Sequence, residues 1–155
     1  MGMSTCLLEV CVDSLESARN AEEGGASRLE LCSSLSLGGL TPTVGLVQSV
    51  KQFVKLPLYV MVRPREGDFV YDEDELLVME QDVICLKENG VDGFVFGILH
   101  PDCTVARESC RRLLLAAYPL PCTFHRCVFF YYFSLPISFS VKSYQFPTKH
   151  YSLMA

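Results

Sequence analysis

Five short runs rich in aliphatic and β-branched residues recur along this chain, near residues 6–12 (CLLEVCV), 28–32 (RLELC), 58–63 (LYVMVR), 93–99 (GFVFGIL) and 122–126 (CTFHR). The gaps between them are long enough to hold a crossover helix. A tight turn cannot join parallel strands, so strand, long gap, strand is the signature of repeated βαβ units. The punctuation agrees. Ser14 is placed to cap a helix over Leu15 to Glu23 ahead of Gly24 and Gly25, and Thr41-Pro42 reads as N-cap and first-turn proline for a helix running to about Val54. Asp72 to Glu88 and Cys103 to Ala117 supply a third and a fourth helix, with Gly90 placed to stop the third.

Two architectures accommodate such a series. An open doubly wound sheet that binds nucleotide shows a glycine fingerprint in its first βα turn, and Asp13-Ser14-Leu15-Glu16 has none. The favoured class is therefore α/β, a TIM-type (β/α) barrel, and an incomplete one. About four and a half βα units stand where a whole barrel has eight and typically about 250 residues. The expected organisation is a partial barrel over residues 1–127 and a divergent, poorly ordered tail over 128–155. In that tail Val128 to Val141 (VFFYYFSLPISFSV) is dense in aromatics and uncharged, and the remainder follows no helical or strand period.

Half of the 155 residues are hydrophobic, which is enough for a core of ordinary size. Thirteen basic against eighteen acidic residues leave a formal charge of -5, a poor match to a phosphate backbone, so nucleic acid is not an expected partner. The first residues lack the basic and apolar regions of a signal peptide, and no uninterrupted apolar run approaches the roughly 18 residues of a membrane span. The expectation is an intracellular chain with no membrane segment. Its eight cysteines read as free thiols, because they sit inside strand-like runs without the paired-loop layout of a disulfide framework.

Alternation along a strand puts residues two apart on one face. In the first run Glu9 and Cys11 share a face opposite Leu8, Val10 and Val12; in the second, Glu30 and Cys32 share a face opposite Leu29 and Leu31. The outward face of a barrel packs on helices and is apolar, so both Glu-x-Cys faces are expected to point inward. Met61, Arg63 and His125 join them by the same alternation, and the set is expected to converge near the C-terminal ends of the strands.

Each residue type admits two readings. Cys6, Cys85, Cys110 and Cys122 read as small hydrophobes. Cys11 and Cys32 recur at equivalent positions on adjacent strands, and two thiolates, with the thioether of Met61 as a possible third donor, suit Cu(I), which tolerates low coordination. Zinc is the rival, but no C-x-x-C pair or further ligands stand at familiar spacing. Glu9, Glu30 and Arg63 fit either an inner ion-pair network or catalysis. His125 fits either a general base or a structural group. Arg65, Asp68 and Tyr71 read as a solvated loop set.

The residues also carry a family resemblance. Leu8-Glu9-Val10-Cys11-Val12-Asp13-Ser14, Arg28-Leu29-Glu30-Leu31-Cys32-Ser33, Gly38-Gly39-Leu40-Thr41-Pro42, Met61-Val62-Arg63-Pro64-Arg65 with Gly67-Asp68-Phe69, Asp92-Gly93-Phe94-Val95-Phe96-Gly97 and Thr123-Phe124-His125-Arg126 stand in order over residues 8–126. Together they resemble the CutC copper-homeostasis proteins, the animal members most. The resemblance implies a TIM-type barrel, cytoplasmic and in animals also nuclear, that binds Cu(I) and assembles into oligomers. It implies copper-ligand cysteines at the positions of Cys11 and Cys32, and a polar lumen cluster at those of Glu9, Glu30, Arg63, His125 and Arg126.

Three expectations follow. The leading one is a copper-handling protein that holds one Cu(I) through Cys11 and Cys32. The second is a barrel enzyme with His125 and Glu9 or Glu30 as acid and base and with Arg63 and Arg126 as anion clamps. The third is a non-functional fragment whose open strand edges make it aggregate or pair edge to edge.

Overall fold

The computed structural model describes residues 7–125 and Cys127; Arg126, Cys6 and the expected tail over 128–155 lie outside the described residues. The chain alternates strand and helix throughout: β1 (Glu9–Val12), α1 (Leu15–Glu23), β2 (Arg28–Leu31), a 3-10 turn (Leu35–Leu37), α2 (Val44–Phe53), β3 (Leu58–Met61), α3 (Glu73–Glu88), β4 (Gly93–Phe96), α4 (Arg107–Ala117) and β5 (Cys122–Phe124). The five strands form one parallel sheet in the order β1-β2-β3-β4-β5. A doubly wound sheet would reverse direction at a switch point. Here the order never reverses, which is the winding of a TIM-type barrel, present in part. Among the described residues β1 and β5 each have a single strand neighbour.

Helix starts follow local chemistry. Ser14 accepts a hydrogen bond from the Ser17 N–H, and the Ser17 hydroxyl accepts from the Ser14 N–H in return, a reciprocal capping box that opens α1. Asp72 and Glu75 make the same exchange at the head of α3. Two boundaries differ from the sequence reading. α2 begins at Val44 under a Thr43 cap, because the Thr41 hydroxyl is already accepting from the Arg63 N–H at 2.9 Å. α4 begins at Arg107 and not at Cys103, whose φ is +66°. The Asp102 carboxylate draws residues 102–104 into a turn by accepting from the N–H and the hydroxyl of Thr104.

The strands' two faces bury different chemistry. Leu29, Leu31, Leu58, Val60, Phe94 and Phe96 face the helices and pack with Val47, Val50, Met79, Val83 and Leu113. Removing such side chains from water contributes roughly 1.5–3 kcal/mol each, so this layer holds the sheet to its helices. Cys32, Tyr59, Met61 and Val95 form a separate buried cluster on the opposite, inner face. None of the described helices is long and apolar enough to cross a membrane.

Candidate metal centre

Strand register determines where the inner-face thiols meet. Cys11 of β1 lies opposite Glu30 of β2, so Cys32, just past the end of β2, is its diagonal neighbour. The two sulfurs are 3.8 Å apart. With strands about 4.8 Å apart and a rise of about 3.3 Å per residue, a diagonal pair has its Cα atoms roughly 8 Å apart. That exceeds the separation of about 7 Å beyond which a disulfide needs backbone movement. An ion bridges such a pair more easily than a covalent bond does. Two metal–sulfur bonds of about 2.3 Å span up to about 4.6 Å, so the observed 3.8 Å lies within the reach of a single bridging ion.

The thiols are unequal. Cys11 is exposed and Cys32 is buried. The Cys11 S–H donates to Glu30 Oε1 at 3.5 Å and meets the Cys32 sulfur, while the Cys32 S–H lies 3.6 Å from the Val12 carbonyl. The Cys11 S–H draws the Cys32 thiol below its ordinary value, against the opposing pull of burial. Cys11 is pushed up, first by the same bond and then by burial and the Glu30 carboxylate. The two thiols therefore titrate as a pair, with the second proton held more tightly than the first.

A glycine roofs the site. Gly39 has φ +86°, and a Cβ placed on it would lie 3.4 Å from the Cys32 sulfur and 3.5 Å from the Met61 methyl. Met61 and Cys32 therefore border the same spot. The roof is pinned by Arg63, just past β3, whose Nη1 donates to the Leu37 and Gly39 carbonyls at 2.9 and 3.1 Å and whose Nη2 donates to the Gly67 carbonyl at 3.0 Å. Arg63 is thereby a clamp on two loops, and among the described residues it joins no ion pair. Among the described residues no group of three or more His, Cys, Asp or Glu is arranged to hold a metal; the soft donor atoms gathered on this face are the two sulfurs, with Met61 beside them.

The other expected site residues separate. Glu9 does not converge with them: it is the first residue of β1 and pairs with Arg28, the first residue of β2, at the strand end opposite Arg63 and His125. Arg28 is held in turn over the Tyr59 ring at 4.0 Å. Glu30 stands at mid-strand beside Cys11. His125 follows β5, its N–H donating to the Phe96 carbonyl, and its ring centroid is 4.9 Å from that of Phe69. The Arg63 guanidinium carbon is 4.9 Å from the same Phe69 ring. Arg126 lies outside the described residues.

The loop after β3 is more ordered than a solvated set. Arg65 pairs with Asp68 and Glu75, and Tyr71 is buried beneath it. Cys110 and Cys122 are buried as expected of small hydrophobes, and burial pushes their thiols up to about 11 and about 12. Cys85 departs from that reading, being exposed on α3. Sequence reasoning missed the place of Gly39 against the Cys32 sulfur and the buried cluster that Phe69 forms with Leu99 and Cys127. The Gly38-Gly39 pair was the available signal for the first.

Fold and site together define a (β/α)-barrel protein with a pair of thiols on the inner face of its first two strands. The chain belongs to the CutC family, whose family model matches residues 6–131. It is 55% identical to a Drosophila melanogaster copper homeostasis protein cutC homolog over 120 residues, 77% of this chain and 46% of that protein. The Homo sapiens homolog is 55% identical over 77% of this chain and 44% of its own length, and the Caenorhabditis elegans homolog 52% over 78% and 49%. The chain spans about half the length of the curated relatives it matches. The crystal structure of a protein described as CutC from Streptococcus agalactiae superposes with a TM-score of 0.74 at 34% identity, covering 79% of this chain and 60% of that one. A Burkholderia cenocepacia protein described as a phosphonomutase, 16% identical with a TM-score of 0.55, covers 80% of this chain and 55% of that one and shares the fold.

Proposed function

We propose that this chain handles copper by holding one Cu(I) ion between the thiolates of Cys11 and Cys32. The observation that carries the reading is the 3.8 Å separation of two sulfurs on adjacent strands, close enough for one ion and diagonal in register. Soft sulfur donors favour Cu(I) over hard cations, and two of them satisfy an ion that tolerates low coordination. The names of the relatives, copper homeostasis proteins, support the same cargo.

The asymmetry of the pair supplies a route. Binding through two thiolates releases both thiol protons. Exposed Cys11 is where the ion enters and leaves, by exchange with a thiol of a donor or acceptor, while buried Cys32 and the Gly39 roof retain it. Met61 stands beside Cys32 as a neutral third donor during the exchange. The reading carries with it a cytoplasmic setting, in animals also nuclear, and association with further copies of the chain.

Copper stoichiometry under reducing conditions tests it. The parent chain takes up one Cu(I), and the Cys11→Ala/Cys32→Ala double variant takes up none. Equal uptake by the two chains sinks the assignment.

A further inference from the structure

We propose that Arg63 and Tyr71 form a binding site for a small oxyanion, a carboxylate or phosphate group, at the C-terminal mouth of the sheet beside β3. Arg63 is 3% exposed, yet among the described residues no carboxylate stands within ion-pair distance of it. A guanidinium has five N–H donors. The Leu37, Gly39 and Gly67 carbonyls take three of them, and Nε, fully buried, has no hydrogen-bond partner. What is left is the Nε–H and one Nη2–H, on the two nitrogens of the side edge with which arginine clasps two oxygens of one anion.

Tyr71 adds a third donor. Its hydroxyl is also buried, and no group of the chain accepts its proton. Burial pushes the phenol up to about 12, opposed by the charges of Arg63 and Arg65 and by the approach of the Arg63 guanidinium to the hydroxyl oxygen, so the hydroxyl keeps its proton and has it to donate. Buried donors without acceptors are rare in folded proteins and call for an ion or water that completes them. Here a buried positive charge is added to the unmet donors, and a ligand that only accepts, carries negative charge and offers at least two oxygens meets both needs.

The neighbouring arginine provides the contrast. Arg65, which lies over the Tyr71 ring, has two carboxylates of its own in Asp68 and Glu75, and its charge is met within the chain. Arg63 holds its loops through carbonyl dipoles alone, which orient the guanidinium without neutralising it. The site lies on the side of the sheet where barrel ligands bind, at the C-terminal ends of the strands. It does not depend on the copper reading, since it shares no donor with the thiol pair.

Titration with inorganic phosphate and, in a separate arm, acetate, at constant ionic strength set with chloride, tests the proposal by phosphorus line broadening or calorimetry and by the melting temperature. The parent chain binds at least one of the two anions saturably, with a matching rise in melting temperature. Tyr71→Phe, which keeps the ring, weakens that binding about tenfold by removing one hydrogen bond to a charged group. Arg63→Lys keeps the charge and loses the fork, and weakens it further. Cys11→Ala/Cys32→Ala leaves it unchanged, which separates this site from the thiol pair. Absence of saturable binding of either anion to the parent overturns the proposal, as does parental affinity in a folded Tyr71→Phe chain.

Discussion

Gly39 shows how much of the site hangs on one residue. Its φ of +86° suits glycine, and its missing side chain leaves room against the Cys32 sulfur and the Met61 methyl. Gly25 has nearly the same φ, +85°, but nothing stands within 4 Å of where its Cβ would be. The two positions therefore separate backbone strain from contact. Gly25→Ala and Gly39→Ala should each lower stability by roughly 1–2 kcal/mol through the left-handed backbone alone. Only Gly39→Ala should also lower Cu(I) affinity, because the added methyl comes into van der Waals contact with the Cys32 sulfur and fills the space in which that sulfur would shift on binding. Denaturant melts alongside competition titrations with a Cu(I) chelator check both halves.

At this scale the thiol pair was legible in the sequence and its surroundings were not. Period-two alternation is a local property of a strand, so Glu9-x-Cys11 and Glu30-x-Cys32 announced a shared face. Which of those residues meet depends on register, and register set Glu9 against Arg28 at the far strand end. The role of Arg63 was hidden for a similar reason. It is written in the carbonyls of Leu37, Gly39 and Gly67, and a carbonyl looks the same in every residue.

Among the elements, α3 carries an electrostatic handle at its head. Glu75 closes the capping box with Asp72 and pairs with Arg65, which anchors the β3–α3 loop through its bond to the Val70 carbonyl at 2.7 Å. The Arg65 hydrogen bond holds the Glu75 carboxyl below its ordinary value, with the Asp72 N–H helping. A group depressed in the folded state stabilises fully above its unfolded pKa, about 4.3 for glutamate, and loses that contribution as the pH falls through the folded value. Melting temperatures of the parent should therefore drop between about pH 5 and pH 3 more steeply than those of Glu75→Gln, which starts lower at neutral pH and lacks this titration. Parallel curves would show that the pair contributes nothing.

Helix starts were readable where a side chain makes the cap and unreadable where none does. Ser14 caps its helix where the sequence placed it, and Asp72, read from the sequence as the first residue of its helix, caps it one position earlier. Thr41 and Thr43 flank Pro42 as rival caps, and the choice was made by Arg63, from another element. α4 has Ala106 at its N-cap and no side-chain cap hydrogen bond, so no local signal marked Arg107 as its start.

For the whole molecule, the alternation of strands and long gaps already specified a parallel α/β sheet, because parallel pairing demands crossovers and the outward faces were apolar at every second residue. Strand order was the quantity that local pattern left undetermined, and the unreversed sequence β1 to β5 resolves it as barrel winding. That winding is what makes β1 and β2 neighbours and turns two separate Glu-x-Cys runs into one site. It also places the Arg63 loop clamp at the mouth of the same inner face, so that the roof over the thiols is tied to β3.

X-ray absorption at the copper edge of the Cu(I)-loaded chain tests the central claim most directly. The account predicts two sulfur scatterers, at about the 2.3 Å of a metal–thiolate bond, that vanish together in the Cys11→Ala/Cys32→Ala variant. A first shell of nitrogen and oxygen alone in the parent, or an unchanged sulfur shell in the variant, would contradict it.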